Sequence, residues 1–83
     1  MSTLEMFLTQ LRTARGMERL GILRHLRNYI DTTDINDIIE QIQNITDKGL
    51  LKYLIEAKPV KPILDATLQR WDELTREELK TQE

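Results

Sequence analysis

Residues 31–47 read DTTDINDIIEQIQNITD, and this stretch decides the fold class. Its isoleucines recur at intervals of three, one, three and three residues, at Ile35, Ile38, Ile39, Ile42 and Ile45. Side chains with this spacing share one face of an α-helix and form an apolar stripe. Residues 31–34 are turn and N-cap types, which predicts that a helix begins there. Because isoleucine has modest helix propensity, burial against other helices must supply most of the stability.

A first helix is predicted at the start of the chain. Ser2 and Glu5 match a capping box, in which a hydroxyl and a carboxylate satisfy backbone N–H groups of the first turn. The apolar residues of this segment recur every three or four positions, at Leu4, Phe7, Leu8 and Leu11. Gly16 follows them, and a glycine at this place is expected to end the helix in the left-handed conformation.

A second helix is predicted from about Met17 to Ile30. Its apolar side is expected to hold several large aliphatic residues and one aromatic residue, namely Leu20, Ile22, Leu23, Leu26, Tyr29 and Ile30. Gly21 lies inside this segment, where glycine costs about 1 kcal/mol relative to alanine. It therefore predicts either a kink or a close approach by another backbone.

Two more helices are predicted after the isoleucine stretch. Thr46-Asp47 offers an N-cap for a short helix, whose apolar side is formed by Leu50, Leu51, Leu54 and Ile55. Because the residue before a proline avoids helical geometry, Lys58 is expected to be extended. A fifth helix then starts with Pro59 or Pro62 in its first turn. Its predicted apolar stripe is Leu64, Leu68, Trp71 and Leu74 or Thr75, with Ile63 and Leu79 as accessory contacts.

These segments together predict an all-α fold, because every apolar pattern has helical spacing. The architecture is expected to be a compact bundle or a short stack of about five antiparallel helices. A single helical domain is predicted for residues 1–76. The strongly charged C-terminal tail, residues 77–83, is expected to fray.

Residues 46–79 resemble one repeat of the HEAT-like class of helical solenoids. The likeness is carried by DKGLL at residues 47–51, a short helix, the proline-marked turn KPVK at residues 58–61, and a longer second helix. The resemblance implies helical hairpins that serve as a protein-binding scaffold.

Residues 18–57 resemble the opening of a helix-turn-helix regulator, through ERLGILRHL at residues 18–26 and the two helices that follow. This resemblance implies nucleic-acid binding by a recognition helix near Asp47–Ala57, with Lys48 and Lys52 available to DNA. The preceding helix is acidic, and base-reading side chains are scarce on the recognition helix, which counts against this alternative.

No pattern of residues in the sequence predicts catalysis, a metal site or a cofactor. The chain has no cysteine and one histidine, His25, so zinc sites built from thiolates or several imidazoles lack ligands. Its three glycines are isolated and form no phosphate-binding loop. We therefore expect that the chain is not an enzyme. Cysteine usage and the lack of a signal-peptide pattern or long apolar stretch favour a cytoplasmic protein without a membrane segment.

Charge is unevenly distributed, although the formal net charge is only −2. Residues 1–30 contain five arginines against two glutamates, and residues 31–50 contain five acidic residues against one lysine. Such opposite clusters can either pair neighbouring helices or orient a binding partner.

The sequence thus predicts a small helical protein-protein interaction module, such as an adaptor, a regulator or an inhibitor. Its expected partner is another protein, with a homo-oligomer as one possibility and nucleic acid as the alternative. Arginine and aromatic side chains are enriched at the energetic centres of interfaces. The candidate interaction residues are Arg19, Arg24, Arg27, Tyr29, Tyr53 and Trp71. The position of Trp71 on the predicted stripe of the fifth helix also favours burial in the core.

Overall fold

The computed structural model describes residues 2–81, which form five α-helices and no strand. The helices are α1 (Thr3–Thr13), α2 (Met17–Thr32), α3 (Ile35–Gln43), α4 (Lys48–Glu56) and α5 (Lys61–Thr81). The all-α prediction is confirmed. The Cα radius of gyration is 12.9 Å, close to the roughly 12 Å expected of a compact domain of this length. The architecture is therefore a compact bundle.

Side-chain caps explain why three of the helices begin where they do. The Ser2 hydroxyl accepts from the backbone N–H of Glu5 at 3.2 Å at the start of α1. At α3 and α4, the carboxylates of Asp34 and Asp47 accept from N–H groups two residues further on, at 2.8 and 2.9 Å. Each cap satisfies an N–H that the first turn leaves without a helical partner.

The core is aliphatic and is shared mainly by α1, α3, α4 and α5. Side chains that are fully buried come from each of these helices and from the α3–α4 connection, among them Leu4, Leu8, Leu11, Ile38, Ile42, Ile45, Leu51, Leu54 and Ile63. In contrast, α2 buries only Leu26 and Ile30. It packs chiefly on α1, so one side of α2 has no helix against it.

The buried face of α5 differs from the predicted stripe. Ile63, Thr67 and Leu74 are the buried residues, whereas Leu68 is 49% exposed. Trp71 lies at the edge of the core and is partly buried. The cause is Thr67, whose hydroxyl donates to the Ile63 carbonyl one turn earlier at 2.8 Å. Because the helix backbone accepts its hydroxyl proton, threonine can take a core position that a purely apolar pattern misses.

Two further residues predicted on apolar stripes are accessible to solvent. Leu20 in α2 is 65% exposed, because the core side of this helix is centred on Leu26. Ile35 is 38% exposed. It lies in the first turn of α3, at the end of the isoleucine stripe, where less of the bundle covers it.

The backbone at two helix boundaries also differs from the expectation. Gly16 does have positive φ, 62°, but it precedes α2 as its N-cap residue. The C-cap of α1 is Ala14, which is extended. Lys58 was expected to be extended, yet its φ is 52°. Its N–H donates to the Ile55 carbonyl at 3.0 Å, so this left-handed residue terminates α4 as glycine does in many helices.

The C-terminal helix continues beyond the predicted domain boundary at residue 76. The last described residues of the segment expected to fray, residues 77–81, belong to α5. Residues 82–83 of that segment lie outside the described residues. Gly21 is exposed within α2, and a Cβ placed on it would meet no atom within 4 Å. No other backbone approaches it, so that explanation for this glycine is wrong.

Candidate interaction surface

Arg19 joins three helices at one end of α2. One guanidinium nitrogen donates to the Leu11 carbonyl at 3.1 Å, and another pairs with the Glu56 carboxylate in α4. The end of α1 leaves the Leu11 carbonyl without a helical partner. The Arg19 guanidinium also lies 5.6 Å from the centroid of the Tyr53 ring, within the range of a cation–π contact. Arg19 and Tyr53 are therefore brought together, in contacts that hold the bundle itself.

Arg12 makes a second charge contact between α1 and α4. Its guanidinium donates to the Asp47 carboxylate at 2.5 Å. This hydrogen bond lowers the pKa of Asp47 below its usual value of 3.8, with a smaller lowering from the Gly49 N–H that the same carboxylate caps. Arg12 and Arg19 thus show that part of the basic cluster pairs neighbouring helices.

Tyr29 lies at the junction of α1, α2 and α3. Its ring centroid is 5.5 Å from that of Phe7, with an angle of 39° between the planes. Its phenolic oxygen accepts a hydrogen bond from the Gln41 side-chain amide at 2.9 Å. The hydroxyl that could have marked an interface is therefore engaged within the bundle.

Trp71 lies where α5 meets the start of α4. The Lys48 ammonium is 4.6 Å from the centroid of the indole ring and 3.5 Å from the Glu78 carboxylate. This arrangement combines a cation–π contact with an ion pair. Trp71 therefore connects α4 and α5.

Arg24 and Arg27 behave differently from the other candidate residues. Both are exposed on α2, and the side chain of neither forms an ion pair or a hydrogen bond with any residue in the described part of the chain. They line one groove, which has a volume of about 500 Å³. We call it the α2 groove; its lining residues are Leu20, Leu23, Arg24, Arg27, Asn28, Asp31, Glu56 and Ala57.

The α2 groove has an apolar component as well as a basic one. Leu20 contributes an exposed side chain, and Met17, one turn before it, is 88% exposed. At the other end, a smaller cavity continues past Arg27 to the Lys58–Val60 turn, where Val60 is 58% exposed. Exposed apolar side chains therefore lie within the α2 groove, at Leu20, and close to each of its ends, at Met17 and Val60.

Two other concave surfaces contain side chains that already make contacts within the fold. The groove beside Trp71 is lined by Asp47, Lys48 and Glu78, whose charges are paired. The groove between α3 and α5 contains Arg70, whose Nε donates to the Ile45 carbonyl at 2.8 Å. Neither surface leaves a pair of cations without partners.

The described residues contain no cluster of three or more histidine, aspartate or glutamate side chains placed to hold a metal ion. Every buried side-chain nitrogen or oxygen in this part of the protein has a hydrogen-bond partner. Across residues 2–81, no helix has the length and apolarity required to cross a membrane.

Gln41 is the residue whose role the sequence analysis missed. Its side-chain oxygen accepts from the Leu4 backbone N–H at 2.9 Å, while its nitrogen donates to Tyr29. One amide thus caps α1 and binds α2 from α3. Gln41 precedes Ile42, so the sequence places it at the edge of the apolar stripe of α3. This position does not indicate which residues of other helices the side chain contacts.

Comparisons with known proteins found no matching family model, no matching curated protein and no matching solved structure.

Proposed function

We propose that this chain is a protein-protein interaction module whose partner binds in the α2 groove. One observation carries the proposal: α2 has a side that no helix covers, and that side presents Leu20 beside Arg24 and Arg27, which have no partners in the described residues. An apolar anchor surrounded by unpaired charge supplies both affinity and orientation to an interface.

Four of the six predicted interaction residues already have partners within the bundle, which leaves two for a binding partner. Arg19, Tyr29, Tyr53 and Trp71 make contacts between helices and support the surface from within. Arg24 and Arg27 are left to meet a partner. We therefore place the binding function on α2 and on the end of α4 that faces it.

Nucleic-acid binding is supported less well by the same contacts. The helix-turn-helix resemblance implies DNA contacts by Lys48 and Lys52 of α4. Lys48 is engaged by Trp71 and Glu78. A recognition helix enters a groove of the DNA, and several side chains around it contact the phosphates.

Self-association would use the same surface if it occurs. Leu20 and Met17 are exposed in the described chain, and a second copy could cover them. Sedimentation at several concentrations, repeated with Leu20→Glu, tests this form of the proposal. We expect any dimer to disappear in the variant.

We also propose that the module acts in the cytoplasm.

Site-specific photo-crosslinking tests the proposed function. A photoreactive residue at position 20 should crosslink to a protein in lysate of the source cells. The same residue at position 68 is the control, because Leu68 is also half exposed but lies on the outer face of α5. The crosslink at position 20 should be lost with Arg24→Glu/Arg27→Glu. Equal labelling from both positions, or labelling of nucleic acid, would contradict the proposal.

A further inference from the structure

We infer that the partner segment is an acidic amphipathic α-helix, which lies along α2 with its apolar side in the α2 groove. This inference rests on the proposed function, and it specifies the chemistry of the partner. It follows from the secondary structure of the groove walls, from their length and from the charge that they leave unpaired.

The groove walls favour a helical ligand over an extended one. An extended peptide that adds a strand needs an exposed sheet edge, and residues 2–81 contain no strand. A polyproline ligand docks between aromatic side chains, and no aromatic residue lines the α2 groove. The α2 groove is instead formed by one helix, α2, and by the C-terminal end of α4, with Leu23 and Ala57 among its lining residues. This arrangement matches a third mode, in which an amphipathic helix packs its apolar face into a groove.

The length of the groove fits a short helix. From Leu20 to Asp31, α2 rises by about 17 Å, or three turns. A partner helix of about three turns presents apolar residues at spacings of three and four along the same length. Leu23 and Ala57 lie at the base, where such residues would pack.

The charge of the groove selects an acidic partner. Arg24, Arg27 and the exposed Lys58 bring positive charge to its rim, and none of them is paired within the described residues. Glu56 is already neutralised by Arg19, which leaves Asp31 as the opposing charge on the rim. Carboxylates on the flanks of a partner helix would complement this pattern.

Titration with designed helical peptides tests the inference. The probe carries leucines every three or four residues along one face and glutamates beside them. One control peptide has lysine in place of each glutamate, and the other has serine in place of each leucine. Amide chemical shifts of the isotope-labelled chain report where each peptide binds. Two variants of the chain are compared with the wild type. The groove variant, Arg24→Glu/Arg27→Glu, tests whether these arginines contact the peptide. The control variant, Lys52→Glu/Lys80→Glu, makes the same change in net charge outside the groove.

We expect the glutamate peptide alone to bind the wild-type chain, with shifts confined to α2 and residues 56–60. The groove variant should weaken this binding about tenfold or more and should gain affinity for the lysine peptide, because charges at the rim of an interface set partner choice. The control variant should change the affinity by less than about threefold, because neither Lys52 nor Lys80 lines the groove and solvent and salt weaken charges that make no direct contact with the partner.

Three results would overturn the inference: no binding, equal binding of the glutamate and lysine peptides, or shifts on another face. Concentration-dependent changes on α2 without any peptide would identify a second copy as the occupant instead. A crosslink to a protein from position 20 together with failure of the glutamate peptide would leave the proposed function standing and remove only the chemistry inferred for its partner.

Discussion

The side-chain nitrogen of Gln41 in α3 donates to the phenolic oxygen of Tyr29 in α2 at 2.9 Å. The same amide accepts from the Leu4 N–H in the first turn of α1. One side chain thus fixes the relative positions of three helices. Because α2 has few other buried contacts, this link helps to set the orientation of the helix that carries the α2 groove.

Gln41→Ala should lower the free energy of unfolding by about 1–3 kcal/mol, because two partly buried groups lose their partner. Tyr29→Phe removes one of the two bonds and should cost about 0.5–1.5 kcal/mol. Urea denaturation measures both changes. Gln43→Ala is the matched control, since Gln43 is exposed on the same helix. Equal effects at positions 41 and 43 would show that the bridging amide contributes nothing to stability.

Gly16→Ala and Gly21→Ala should change stability in opposite directions. Gly16 has φ 62° and ψ −134°, a conformation whose cost for other residues is about 1–3 kcal/mol. Gly21 lies in helical backbone with open space around its Cα, so alanine there should add about 0.5–1 kcal/mol. Thermal and urea unfolding of the two variants compare the effects. Stabilisation by Gly16→Ala would contradict the assigned backbone.

Ile63→Ala and Leu68→Ala test which side of α5 faces the core. Ile63 is 2% exposed, so its truncation should destabilise the protein by about 2–5 kcal/mol. Truncation of the half-exposed Leu68 should cost about 1 kcal/mol or less, because leucine and alanine are both good helix formers. Unfolding in urea distinguishes them. A larger loss of stability from Leu68→Ala than from Ile63→Ala would show that α5 buries the face predicted by the leucine pattern.

The difference between the predicted and the observed buried face of α5 shows how far the sequence determines the fold. The isoleucine spacing of α3 and the caps at Ser2, Asp34 and Asp47 are local signals, and they located the helices well. The face that α5 buries depends on a hydroxyl that the helix backbone satisfies, as at Thr67. An apolar pattern treats threonine as polar and therefore shifts the stripe.

The candidate site was only partly predictable for a related reason. Sequence position identifies arginines and aromatic residues, but it does not reveal which of them find partners in other helices. Arg19 pairs with a glutamate 37 residues later, whereas Arg24 finds no partner among residues 2–81. Tertiary contacts alone distinguish the arginines that link helices from those whose side chains have no partner among residues 2–81.

Asp47→Asn should flatten the acid limb of the stability profile. The folded-state pKa of Asp47 lies below its usual 3.8 because Arg12 donates to the carboxylate. Its stabilising contribution is therefore complete above the unfolded-state pKa and is lost as pH falls through the lower folded-state value. Asparagine can still accept from the Gly49 N–H but carries no charge to titrate.

Urea midpoints of wild type and Asp47→Asn, measured from neutral pH to about pH 2, test this difference; the window follows from the ordinary aspartate pKa. The variant should be less stable at neutral pH and should approach the wild type in acid. Parallel profiles would show that the Arg12 contact does not stabilise the folded state. Asp37→Asn, in an exposed position on α3, is the control for removing one negative charge.

The arginines of α2 should separate into two classes by stability. Arg19→Met removes the donor to the Leu11 carbonyl and the partner of Glu56, and it should lower the free energy of unfolding by about 1–2 kcal/mol. Arg24→Met and Arg27→Met leave every described contact intact and should change it by less than about 0.5 kcal/mol. Urea denaturation of the three variants gives the comparison. Large losses at Arg24 and Arg27 would mean that these side chains support the fold, and charge reversal there would no longer report on binding alone.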